Sequence, residues 1–153
     1  MPGTTSAGFE RGFAGYEWNR ATAPDSANTM SAKMTGEKSY NNAINVDGNG
    51  TALLSLAEVV HQGGKATGVV STVQISDATP AAGGGAHNVS RASHGEIATE
   101  VFHSGVLDVI AGTGNPDVND NGQPATAANY DWIGQDLWNS LKAGTYKSPD
   151  GLG

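Results

Sequence analysis

An α/β fold with a mostly parallel sheet flanked by helices is what the 153-residue chain predicts. Helix-like apolar spacing gives way to a short strand-like run twice in succession, and helix then strand, repeated, implies parallel pairing. The 22 glycines, with a triplet at 83–85, call for tight turns rather than a helical bundle. At this length one core-bearing domain, or part of a larger one, is expected over 1–153. Residues 1–22 form an N-terminal extension to which no element is assigned.

From Asp25 the pattern predicts a short helix. Asp25 or Ser26 can cap it, Ala27, Met30 and Met34 fall at helical spacing, and Gly36 suits the left-handed position at its end. "TALLSLAEVVHQGG", residues 51–64, predicts a second helix with Leu53, Leu54, Ala57 and Val60 on one face and a glycine pair as terminator. "KATGVVSTVQI" then supplies a β-branched run, 69–75, suited to a buried strand. "SHGE", 93–96, has capping-box spacing before the helix "IATEVFHSG", and "VLDVIAG" follows as a short apolar strand. The stretch "GTGNPDVNDNGQPATAANY" reads as a surface excursion. "GQDLWNSLKAG" then returns to helix with Leu137, Trp138 and Leu141 apolar.

Composition excludes several roles. With no cysteine there is no disulfide or thiolate metal site. No apolar run approaches the roughly 20 residues of a bilayer span, and the first residues lack the order of a signal peptide. The net charge of −7, with eight scattered basic residues, offers no stripe for a nucleic-acid backbone. Such acidity also repels a phosphate ester unless cations are bound.

The residues that bear chemistry stand at the expected junctions. Ser26 in the first turn of a helix is either a cap or a nucleophile placed where backbone N–H groups and the helix dipole favour an anion. Asp77 and Thr79 are hard oxygen donors at a strand's end, where open α/β sheets place their sites. Arg91 can grip a phosphate with two donors. Each has an ordinary reading beside it: "DATP" makes a turn, and Arg91 is a solvated surface charge.

"DSANTMSAKMTGEKSYNNAI", "ATGVVSTVQISDATPAA" and "HNVSR", in this order and spacing, resemble the alkaline phosphatase family of bacterial type. The likeness runs from about Asp25 to beyond Gly144. It implies an incomplete alkaline-phosphatase-like domain, with Ser26 attacking phosphorus to form a phosphoserine. Arg91 would bind the phosphate, Asp25 would brace that arginine, and Asp77 and Thr79 would be two Mg2+ ligands. The resemblance further implies a phosphate monoester substrate, a periplasmic or secreted setting, and a homodimer as an option for the intact enzyme. Pro24 departs from the threonine usual before Asp-Ser. The family's two Zn2+ ions use an upstream Asp-Gly motif and downstream Asp and His pairs that have no match here. His61, His87, His94 and His103 fall in non-ligand segments, with His61 and His103 finishing helices. The expectation is therefore an internal piece of a longer phosphatase, inactive alone, with Arg91 about one phosphate group from Ser26, on the order of 4 to 8 Å.

The reading from another class is a secreted calcium-binding or structural module. "DVNDNG", 117–122, and "NVDGNG", 45–50, resemble the first half of an EF-hand loop, but the twelfth positions are Ala128 and Leu56, so Asx-rich turns are the competing reading. "GTGNPD" lacks the third glycine of a dinucleotide fingerprint, and Ser26 lacks the G-x-S-x-G setting of a Ser-His-Asp hydrolase.

Overall fold

A computed structural model describes residue 21 and residues 23–148. The expected extension over 1–22 thus lies almost wholly outside the described residues. Helix α1, Ser26–Thr35, starts at the N-cap Asp25, whose carboxylate accepts from the Asn28 N–H, and stops at Gly36 with φ +78°. The predicted cap and terminator both hold. Helix α2 spans Leu56–Gln62 and is shorter than the predicted 51–64. Residues 51–53 are held extended instead: Val46 bridges Ala52, and the Leu53 N–H donates to the Asn45 carbonyl. Of the predicted apolar face, Ala57 is buried, Leu53 and Val60 are half-buried and Leu54 is exposed, so that face is mostly covered, while Leu56 and Val59 beside it are open.

Strand β1, Gly68–Gln74, and strand β2, Val109–Thr113, pair in parallel as predicted, with Val69 opposite Ile110 and an irregularity between Val70 and Gln74. The strand expected to be buried is half open, with Val70 79 % exposed. Two strands make up the sheet among the described residues, so β1 and β2 are both edges. Gly112 allows their close approach, since a Cβ there would stand 2.6 Å from Ile75 Cγ2 and 3.0 Å from the Val73 carbonyl oxygen.

Between them lie two helices. Helix α3, Ala78–Gly83, occupies the stretch read as a turn. Pro80 sits in its first turn, where a missing N–H leaves no intrahelical bond unmade. Helix α4, His94–His103, follows Ser93, which makes no side-chain cap. The expected capping box at 93–96 does not form, because Glu96 Oε2 accepts from Asn88 Nδ2 at 3.0 Å. The box forms at Ser55 and Glu58 instead, each side chain on the other's backbone N–H. Helix α5, Gln135–Lys142, closes the described chain.

The main core is small-residue packing. Ala27 of α1 meets Ala78, Ala81 and Ala82 of α3, with Ile44 and Ile97 filling the flanks. Small side chains let α1 and α3 lie close together, which brings their N-termini together. A buried polar hub holds the intervening segment. Ser31 Oγ donates toward the Ala27 carbonyl at 2.8 Å and accepts the Asn45 N–H at 2.8 Å, while Asn45 Nδ2 serves the carbonyls of Ala82 and Ala86.

Candidate active site

Two helix N-caps and one loop arginine build the site. Asp25 caps α1 and Asp77 caps α3, the latter accepting the Ala78 N–H on Oδ1 at 2.8 Å. A capping carboxylate is fixed by its own helix, so its direction is set by the backbone. Arg91 reaches between the two. Its Nη2 donates to Asp77 Oδ1 at 2.8 Å, and its Nη1 stands 3.5 Å from Asp25 Oδ2 and donates to Ser26 Oγ at 2.7 Å. Residues 25, 26, 77 and 91 therefore converge beyond the carboxyl end of β1, where an open α/β sheet places its site.

Ser26 is closer to Arg91 than the 4 to 8 Å expected with a phosphate between them, because the guanidinium donates directly to the hydroxyl oxygen. Ser26 is the first residue of α1 and is exposed, while the capping belongs to Asp25. Its hydroxyl is thus free of any helix-closing duty. The helix end and the guanidinium together give its oxygen a positive surrounding.

The loop 41–45 completes the cradle. Asn42 adopts φ +78°, a conformation that asparagine tolerates better than most residues. That turn sends its N–H to Asp25 Oδ2 at 2.9 Å and its carbonyl to the Arg91 N–H at 2.8 Å. Asn41 Oδ1 accepts from both the Asp25 N–H and Asn28 Nδ2. Sequence reading missed these asparagines, although "YNNA" before a core segment is the composition of such a left-handed turn.

Thr79 is the second residue of α3 and is exposed, in the wall of a cleft of about 260 Å3 shared with Met30 and Val69. No hydrogen bond joins it to the Arg91 cluster among the described residues. Asp77 receives both of its hydrogen bonds on Oδ1, which leaves Oδ2 open. Asp77 Oδ2 and the Thr79 hydroxyl fit magnesium as two hard oxygen donors in one helical turn, short of the six or so the ion takes. Among the described residues no three His, Asp or Glu side chains form a metal-holding group, so they provide no zinc ligand set.

The calcium-like loops are closed by their own hydrogen bonds. Asp47 Oδ1 accepts the N–H groups of Asn49 and Thr51, and Asn119 Oδ1 accepts those of Asn121 and Gln123. Asp117 Oδ2 is taken by Lys142 Nζ at 2.7 Å and Trp138 Nε1 at 3.2 Å. The Lys142 bond holds the Asp117 carboxyl below the usual carboxylate value and raises Lys142 in return. These are Asx turns and an ion pair rather than converging ligands.

A serine at a helix N-terminus thus lies within hydrogen-bond reach of an arginine that two aspartates hold. A family model for alkaline phosphatase matches residues 12–147, and the chain belongs to that family. It is 40 % identical over 116 residues to alkaline phosphatase 4 of Bacillus subtilis, covering 69 % of this chain and 25 % of that protein. With alkaline phosphatase of Escherichia coli it shares 44 % identity over 75 residues, 49 % of this chain and 16 % of the relative. The cold-active alkaline phosphatase of Shewanella sp. superposes with a TM-score of 0.62 at 32 % identity, covering 82 % of this chain and 27 % of that one. A variant of the TAB5 alkaline phosphatase with Mg bound in its M3 site gives 0.57 at 40 % identity, over 60 % of this chain and 26 % of that one. The chain thus spans about a quarter of the length of the curated relative it matches over most of its own length.

Proposed function

We propose that this chain carries the nucleophile and the anion grip of a phosphomonoesterase that works through a phosphoserine. The observation that carries the reading is the 2.7 Å contact between Arg91 Nη1 and Ser26 Oγ, residues 65 apart in sequence. Family membership supports it, and phosphate monoesters are the substrate class. A periplasmic or secreted setting goes with the same kinship; no helix among the described residues is long and apolar enough to cross a membrane.

A phosphate monoester would lie with two non-bridging oxygens on the Arg91 guanidinium and its phosphorus before Ser26 Oγ. Arg91 then exchanges its present partners, Ser26 Oγ and Asp77, for those oxygens. Asp25 keeps the arginine from swinging out, because its own orientation is fixed by α1 and by Asn42. Ser26 Oγ forms a bond to phosphorus while the bond from phosphorus to the ester oxygen breaks, and the serine proton ends on that departing oxygen, so that an alcohol is released. Water then bonds to phosphorus as the bond from phosphorus to Ser26 Oγ breaks, releasing inorganic phosphate and returning a proton to the serine oxygen. Magnesium, held by Asp77 and Thr79, would supply positive charge beside the phosphate.

The test has two arms on the purified chain. Millimolar inorganic phosphate should move the NMR signals of the Arg91 guanidinium and of the Asn28 N–H, and Arg91→Met should abolish this. Hydrolysis of p-nitrophenyl phosphate with zinc and magnesium supplied should stay at background, since the ligand count for zinc is short among the described residues. Phosphate binding that survives Arg91→Met would refute the grip.

A further inference from the structure

The segment that carries Arg91 is anchored by a histidine that the proposed chemistry does not use. His87 has a side chain only 16 % exposed, and each ring nitrogen faces an acceptor. Nδ1 lies 2.9 Å from Glu100 Oε1 on α4, and Nε2 lies 3.0 Å from the Leu53 carbonyl oxygen. The His87 N–H donates to the other oxygen of Glu100 at 2.8 Å. Glu58 Oε2, at the start of α2, stands 3.5 Å from Nε2.

A neutral imidazole donates from one nitrogen and accepts on the other. With acceptors at both nitrogens, the neutral ring sets a lone pair against an oxygen in a mostly buried place, a loss on the scale of an unmade hydrogen bond. The imidazolium satisfies both partners. We infer that His87 is a positioning residue for Arg91: as an imidazolium it ties residues 86–93 to α2 and α4, and so sets where the guanidinium stands. The inference rests on reading Arg91 as the anion grip.

The path from ring to guanidinium is short and hydrogen-bonded throughout. Asn88 exchanges backbone hydrogen bonds with Ile44, both at 2.9 Å, and its Oδ1 accepts the Ser90 N–H. The Arg91 N–H is then held by Asn42, the residue that also holds Asp25. Gly85, two residues before His87, leaves little space on its other side: a Cβ there would stand 3.0 Å from Ser55 Oγ. A shift of His87 away from Glu100 therefore moves a segment that ends at Arg91.

Among the described residues the charged groups facing the ring are Glu100 from α4 and Glu58 from α2, both carboxylates. Glu100, by its hydrogen bond, and then the Leu53 carbonyl and the two charges raise the proton affinity of His87 above the ordinary histidine value, against the opposing effect of burial. For a raised histidine the stabilisation is complete below the unfolded value, about 6.5, and is lost as pH rises through the folded value. The tie thus loosens as pH rises through a folded value that lies above the ordinary one.

The experiment is NMR of the full chain between pH 6 and 9. Both ring nitrogens of His87 should remain protonated above pH ~6.5, and the Arg91 Nε–H signal should move with the same midpoint. Glu100→Gln keeps an oxygen for Nδ1 but removes the charge, and should draw both midpoints down together. Glu58→Gln should do the same by less, and serves if the first variant is unfolded. His87→Gln should abolish the movement of Arg91 in this range. An Arg91 signal that stays still while His87 titrates, or that moves unchanged in His87→Gln, would overturn the inference. Phosphate added to the wild type at fixed pH separates the two ideas. No response of Arg91 to phosphate refutes the anion grip, whereas the shared midpoint decides His87 in either case.

Discussion

Asp25 does three things at once, and their magnitudes predict which one matters. Its Oδ1 caps α1 through the Asn28 N–H at 3.0 Å, its Oδ2 accepts the Asn42 N–H at 2.9 Å, and the same Oδ2 lies 3.5 Å from Arg91 Nη1. Losing a cap costs about 1 kcal/mol. Losing a carboxylate acceptor for a partly exposed N–H costs about another 1 kcal/mol. The ion pair is long, and both side chains keep more than a fifth of their surface in water, so its share is about 0.5 kcal/mol or less. Asp25→Ala should therefore destabilise the chain by about 2 kcal/mol. Asp25→Ser caps the helix but does not reach Asn42, and should cost about 1 kcal/mol. Urea denaturation of these variants measures the series, and a double-mutant cycle between Asp25→Ala and Arg91→Ala isolates the ion pair. A coupling above about 1.5 kcal/mol, or equal losses in Asp25→Ala and Asp25→Ser, would refute this division. It would mean that the arginine, not the backbone, is what Asp25 chiefly serves.

The remaining predictions concern packing and charge away from the serine. Gly112→Ala must push β2 from β1, because Ile75 Cγ2 lies 2.6 Å from the new Cβ and Val73 supplies backbone; a loss of about 1 to 3 kcal/mol in a urea melt is expected. Asp117, whose carboxyl Lys142 holds below the ordinary value of 3.8, contributes stability above the unfolded pKa that is lost as pH falls through the folded one. Lys142→Gln should return its NMR titration midpoint toward 3.8, and an unmoved midpoint would show that Trp138 alone sets it.

How far sequence reaches into this structure depends on what each residue bonds to. Helix α1 was readable because its cap, its spacing and its terminator, Gly36, are all local. Helix α3 was not: Ala78, Pro80, Ala81 and Ala82 are all buried and Thr79 alone offers a polar exposed side chain, so six residues give no period to detect. The capping box shows a different limit. "SLAE" at 55–58 and "SHGE" at 93–96 have the same spacing, and the choice between them is tertiary, since Glu96 is drawn to Asn88 while Glu58 is not. The strand "GVVSTVQ" was read as buried because an unbroken β-branched run suits cover on both faces, yet Val70 is exposed on a two-stranded sheet. In the site, the junction residues were foreseeable from their places at strand and helix ends. The αL turn at Asn42 and the triad of Glu58, His87 and Glu100 were not, for their partners lie in distant segments.

The two aspartates at Arg91 are alike in sequence setting, each the residue before a helix, but they are used differently. Asp25 has both oxygens committed to protein N–H groups, one to α1 and one to Asn42, with Arg91 sharing the second. Asp77 gathers the Ala78 N–H and Arg91 on a single oxygen. A carboxylate with both oxygens on backbone donors is a brace, because it cannot take up a cation without giving up the turn that it closes. One with an oxygen to spare can hold arginine and a cation at the same time, and a cation there would draw electron density from the oxygen that Arg91 uses. The bond from Arg91 Nη2 would then weaken just where the arginine must let go to take phosphate. Asp25 would be left as the fixed point about which the guanidinium turns. That division of labour follows from which oxygen each helix cap occupies, so the proposed roles of brace and magnesium ligand are not interchangeable between the two positions.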